Sequence, residues 1–248
     1  MILAEMTWKE VEALSRDTIV VIPTGSIEQH GPFLPTATDT LIATAVTAAV
    51  EQQVSDKVMV TPTIWLGASG HHLPFAGTLS ASVTGYMETL TSTIQSLAKH
   101  RFHRFLIING HGGNNEPNGV TLRQLKEHNP NLTLGHRGYY QFAEQVIAET
   151  LEGSIKGIQH ACEAEVSLML HLHPEKVRKD LIRDDGLRPV TPVQSLVKGW
   201  DEISEEGSFG FATLGTAEKG KRIFDACVEG IVNEIEAIHA GVVYRGIF

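Results

Sequence analysis

The chain has 248 residues, 42% of them apolar and 20% charged, with a formal net charge of -9 and a pI near 5.7. An acidic surface repels phosphate backbones, which argues against a nucleic-acid partner. No run approaches the roughly 20 apolar residues of a membrane helix, and two cysteines, Cys162 and Cys227, are too few for a disulfide framework.

The length suits one α/β domain over residues 1–248. The N-terminal MILAEMTWKEVEALSRD is acidic where a signal peptide would be basic. It reads as a short helix of a cytoplasmic protein. DTIVVIPTG (17–25) then predicts a strand ending in a glycine turn.

The loop after that strand, PTGSIEQHGPFLPTATDT (23–40), holds Glu28, His30 and Asp39. Residues two apart in extended backbone point the same way, so Glu28 and His30 can reach one centre. Two carboxylates and an imidazole form an oxygen/nitrogen ligand set suited to zinc, manganese or iron(II), and a carboxylate can bridge two ions. The same residues also suit a polar surface loop in which Asp39 only caps the helix predicted over 39–53.

KVMVTPTI (57–64) predicts a second strand, and the loop ASGHHLPFAGTLS carries His71 and His72, either of which can line a pocket or be merely solvated. A helix over 82–100 follows, with Ser82 as its N-cap. FHRFLIINGH (102–111) is apolar on both faces, as buried parallel strands are. His111 follows it among glycines that let a ligand approach backbone. INGHGGNNEP also suits a plain glycine turn, but it lacks the Lys-Ser/Thr ending of a phosphate loop.

A helix over 115–129, a strand over 131–136, and helices over 161–172 and 217–241 complete the pattern. Strands alternating with helices predict a three-layer α/β sandwich around a mostly parallel sheet. In QHACEAEVSLML, Glu165 precedes an apolar run, and a carboxylate at a buried helix end needs a charged partner, which a metal would provide. Glu163 and Glu165 equally suit the positive end of a helix dipole. Cys162 beside His160 is disfavoured as a nucleophile because no separate His–Asn pair accompanies it. The segment from Gly186 to Leu214, which contains Trp200, reads as lid, oligomer contact or loop.

GSIEQHGPFLPTATDT, NGHGGN, HACEAEVS and ATLGTAEKG, in this order over nearly the whole chain, resemble the creatininase (creatinine amidohydrolase) family. The resemblance implies a homohexamer and a centre of two divalent ions, zinc or manganese with iron(II) compatible. Their ligands would be Glu28, His30, Asp39 as bridge, His111 and Glu165. It implies His160 as general acid or base, and we expect Glu163 to orient it. His72, Gly112, Gly113 and Tyr139 are expected to meet the substrate.

The sequence departs from the family at three places. Gly113 replaces a glutamate, RGYYQF replaces a stretch with gating tryptophans, and Ala76 stands where proline is usual. These changes point to amidohydrolase chemistry on a small cyclic or amide-like substrate other than creatinine. The alternatives are a formamide deformylase, a ring-opening carbon–carbon hydrolase of a cyclic polyol ketone, and a non-catalytic metal binder. The presence of His160 argues against the last.

Overall fold

The computed structural model describes residues 1–187 and 197–241; residues 188–196, inside the Gly186–Leu214 segment, and 242–248 lie outside the described residues. Four parallel strands form the sheet: β1 (Ile19–Thr24), β2 (Val58–Val60), β3 (Arg104–Asn109) and β4 (Thr133–Gly138), in the order β2-β1-β3-β4. β1 is buried along its whole length because it pairs on both edges, with Ile19 opposite both Val58 and Arg104.

Helices cover both faces. The short α1 (Trp8–Ala13) opens on a capping box between Thr7 and Glu10. After it come α2 (Thr38–Gln53), α3 (Val83–Ala98), α4 (Asn115–His128), α5 (Glu144–Thr150), α6 (Glu163–Leu172) and α7 (Ala217–His239). Alternate residues of each strand face opposite layers. Ile19, Val21, Leu106 and Ile108 pack with Ile42, Val46 and Val50 of α2, Val166 and Leu168 of α6 and Ile231 of α7. Val20, Ile22, Phe105 and Ile107 pack with Tyr86, Leu90 and Ile94 of α3 and Leu122 and Leu125 of α4. The three-layer α/β sandwich is therefore present, with a wholly parallel sheet among the described strands.

The chain moves outward from β1 to β2, then returns past β1 to β3. That reversal opens a crevice at the carboxyl ends of β1 and β3, where ligands bind in sheets of this kind. The loops bearing Glu28, His30 and His111 leave from there.

Boundaries differ from expectation for local reasons. β2 stops at Val60 because Pro62 has no N–H for the ladder, and only an isolated bridge joins Ile64 to Thr24. β4 begins at Thr133, where pairing with Arg104 of β3 sets its register. α6 begins at Glu163 because Ala161 takes a left-handed φ of 48° and breaks the helix before it can form. Ser82 caps α3 as expected, accepting from the Gly85 amide. The short α5 carries no signal clear enough to predict. No helix among the described residues is long and apolar enough to cross a membrane.

Candidate metal centre

β1 and β3 end side by side, so the loops that follow them converge. Glu28, His30, Asp39, His111, His160 and Glu165 are all buried at this point, each less than a tenth exposed. Asp39 sits in the first turn of α2 and Glu165 in the first turn of α6.

Asp39 lies between two imidazoles. Its Oδ1 is 3.0 Å from His30 Nε2, and its Oδ2 is 3.1 Å from His111 Nδ1. Glu28 Oε2 is also 3.1 Å from His111 Nδ1, and Glu165 Oε2 is 4.0 Å from His30 Nε2. Two groups of possible ligand atoms result: Glu28, Asp39 and His111 on one side, and His30, Glu165 and His160 on the other, with Asp39 Oδ1 reaching His30 and so touching both.

The outward nitrogens of three imidazoles are tied to backbone carbonyls, which can only accept. His30 Nδ1 donates to Glu28 O at 3.1 Å, His160 Nε2 to Gln29 O at 2.7 Å and His111 Nε2 to Ala68 O at 3.3 Å. The opposite nitrogen of each ring therefore faces the carboxylates and is available to a cation, which is how proteins orient histidine ligands. Ser69 Oγ adds a 2.6 Å hydrogen bond to Glu28 Oε2. Ser69 is itself joined to Ser26 by a short hydrogen bond.

The electrostatics describe what this cluster needs. Burial alone would lower the His30 pKa, but Asp39, Glu165 and Glu28 outweigh it and raise it to about 10. His111 is likewise driven well above the usual imidazole range, against its burial, by Glu28 and Asp39. Burial would raise Asp39, but His30 and His111 hold it far below the carboxylate range. Burial raises Glu165 to about 7 despite the pull of His30. Burial, with His30 adding to it, lowers His160 to about 3. Protons on His30 and His111 thus offset Glu28 and Asp39 when no cation does, while Glu165 itself takes up a proton near neutrality.

The residues fit divalent cations on an independent count. His30 Nε2 and Asp39 Oδ2 are buried and, although each faces an opposite charge, neither closes a hydrogen bond of good geometry. Both orphaned atoms point into the two ligand sets. An oxygen/nitrogen donor set of this kind suits zinc, manganese or iron(II).

The cluster floors a cavity of about 200 Å³, lined by His71, Gly112, Gly113, Tyr140 and Trp200 among others. Trp200 begins a single 3-10 turn (Trp200–Glu202) and stacks on His160, with ring centroids 4.7 Å apart and planes at 27°. Gly113 has no room for a side chain: a Cβ would lie 2.5 Å from His111 Nε2 and 2.6 Å from Ala68 O.

Two expectations are corrected. Tyr139 does not line the cavity; it is 1% exposed in the core between sheet and helices, and its neighbour Tyr140 faces the site. Glu163 does not orient His160. Residues two positions apart in a helix are separated by roughly 200° of rotation, so Glu163 turns away from Glu165. It accepts from Lys219 Nζ at 2.7 Å and from the Glu152 and Gly153 amides at 2.9 and 3.0 Å. His72 lines the cavity, but its nitrogens are engaged by Gln29 and Glu28. Sequence reasoning missed Gln29 and Ser69; amides and hydroxyls that act only through distant partners leave no local pattern.

A family model for creatininase, described as creatinine amidohydrolase, matches residues 4–235. The mycofactocin precursor peptide peptidase of Mycobacterium ulcerans is 34% identical over 225 residues, covering 87% of this chain and 84% of that protein. The creatinine amidohydrolase of Pseudomonas putida is 29% identical over 252 residues, covering 94% and 95%. A crystal structure of creatinine amidohydrolase superposes with a TM-score of 0.83 at 29% identity, covering 96% of this chain and 97% of that one. Among similar structures of that enzyme are a manganese form and a mutant of Zn–Zn type, each with a TM-score of 0.82.

Proposed function

The chain belongs to the creatininase family and is a hydrolase, and from that premise we propose that its buried cluster is a dinuclear metal centre for cleaving a C–N bond in a small amide-like substrate. The observation that carries this reading is Asp39, whose two oxygens each face a different imidazole at 3.0 and 3.1 Å. Glu28, Asp39 and His111 would hold one cation, and His30 and Glu165, with Asp39 shared, would hold the other. Zinc or manganese suits both. Bound there, such a pair would supply a water acidified toward neutrality and positive charge for the carbonyl oxygen of the substrate.

The protein's own groups do the rest. His160 keeps its Nε2 proton on the Gln29 carbonyl, so Nδ1 carries the lone pair. That free Nδ1 is placed to take a proton and pass it to a leaving nitrogen. Trp200 stacked on that ring restrains it and excludes water from one side. A cavity of about 200 Å³ admits a small ring or the scissile unit of a longer chain.

In this reading residues 1–248 act as one domain, and the family resemblance implies a homohexamer. The deciding experiment combines elemental analysis with a substrate panel. Purified protein reloaded with zinc or manganese should hold two equivalents per chain, and clearly fewer would overturn the dinuclear centre. The panel should span cyclic amides, formamides, short peptides and cyclic ketones. Turnover confined to the ketones would replace C–N by C–C cleavage.

A further inference from the structure

Four buried imidazoles surround Glu28, yet they are not wired alike. His30, His111 and His160 are each held from behind by a backbone carbonyl. His72 is held by a side-chain amide: Gln29 Nε2 lies 2.9 Å from His72 Nδ1. The orientation of that amide is set at its other end, where Gln29 Oε1 accepts from the Gly31 amide at 3.0 Å. Oxygen toward Gly31 means nitrogen toward His72.

An amide nitrogen can only donate, so His72 Nδ1 must be the unprotonated nitrogen and Nε2 the protonated one. His72 Nε2 then donates to Glu28 Oε1, 3.2 Å away. His160 Nε2 also lies 3.1 Å from the same amide nitrogen, but the Gln29 carbonyl at 2.7 Å is closer. A lone pair aimed at an oxygen at that distance is repulsive, so His160 Nε2 carries the proton. Its Nδ1 is left free, 3.7 Å from Glu28 Oε1. Both rings are thus protonated on Nε2, but His72 turns that proton toward Glu28 while His160 turns its bare Nδ1 toward it, and Gln29 sets both, through its side chain on one and its main chain on the other.

This wiring matters because Glu28, His72 and His160 form a third set of possible ligand atoms, all within 4.8 Å of one another. We infer that Gln29 is a positioning residue that makes His72 a hydrogen-bond donor to Glu28 rather than a ligand, and so limits the centre to two cations and keeps His160 free for proton transfer. The inference rests on the dinuclear reading above. The 204–207 turn covers the amide. Gly207 has a φ of 84° and lies so close over Gln29 Oε1 that a Cβ there would overlap it, so the turn packs directly on the amide.

The test is a zinc titration by equilibrium dialysis of the full-length wild type, Gln29→Glu and the double variant Gln29→Glu/His72→Asn. It is paired with ¹⁵N NMR of histidine-labelled, zinc-loaded wild type. A carboxylate at position 29 offers an acceptor to His72 Nδ1, which moves the ring proton there and frees Nε2. Wild type should hold two equivalents. Gln29→Glu should hold a third, and zinc should inhibit it at a concentration roughly tenfold lower than wild type, the lower end of effects seen when an outer partner of a ligand changes. The double variant should return to two. In the NMR spectrum, His72 should carry its proton on Nε2.

A wild-type count below two overturns the dinuclear reading and this inference with it. A wild-type count of two, with His72 protonated on Nδ1, overturns the inference alone. So does a Gln29→Glu variant that stays at two, or a third equivalent that persists without His72. Should Gln29→Glu fail to fold, the wild-type NMR assignment decides.

Discussion

Two carboxylates on α6, two residues apart and both buried, are treated in opposite ways. Glu163 is neutralised by Lys219 at 2.7 Å and two backbone amides. Glu165 receives one backbone amide, from Ala161 at 2.6 Å, and otherwise faces His30 and Asp39. The first is a complete structural ion pair joining α6 to α7. The second is incomplete: a buried charge among other carboxylates, balanced only by whatever cation or proton arrives. Burial of a carboxylate does not mark function. The nature of its partner does.

The largest effect that would break this comparison lies at Asp39, which serves both ligand sets. Asp39→Ala should lose both cations in elemental analysis, and turnover should fall below detection. Retention of two equivalents would show that the bridge lies elsewhere. His160→Ala should keep both cations yet lose about 10²–10⁴-fold in kcat. Loss of metal in that variant would make His160 a ligand instead.

Lys219→Met sharpens the structural half. It leaves Glu163 buried and unpaired, which should cost about 3–5 kcal/mol in a denaturant melt while metal content stays at wild type. Glu165→Gln should do the reverse in metal-free protein. Its carboxyl is raised from 4.5 to about 7 in the folded state. The protonated acid therefore favours folding below pH 4.5, and that contribution is lost as pH rises through 7. A neutral amide escapes the loss. Metal-free Glu165→Gln should thus match wild type near pH 4 and exceed it above pH 7 by on the order of 3 kcal/mol. Equal melts at both pH values would contradict the description of Glu165 as an uncompensated charge.

Much of the fold was legible from local pattern. β1 and β3 are apolar on both faces because strands buried between two helical layers have no solvent side. Their ends were legible for the same reason, since polar residues resume where the sheet stops, and there Glu28, His30 and His111 lie. The pairing of Tyr139 with the core and Tyr140 with the cavity was not legible. Both follow the β4 end in one short 3-10 turn (Tyr139–Phe142), and only the packing of α7 and the sheet decides which ring turns inward.

What the amino-acid sequence determined alone was the order of layers and the identity of the charged groups that burial would have to reconcile. Periodicity and strand-end chemistry are local, so one chain suffices to read them. Which carboxylate meets a lysine and which meets an imidazole was decided only by the tertiary structure, as were the amide that holds His72 and the indole that covers His160. Those contacts join residues far apart in the chain. Their energies depend on separations of a few ångströms that no local pattern records.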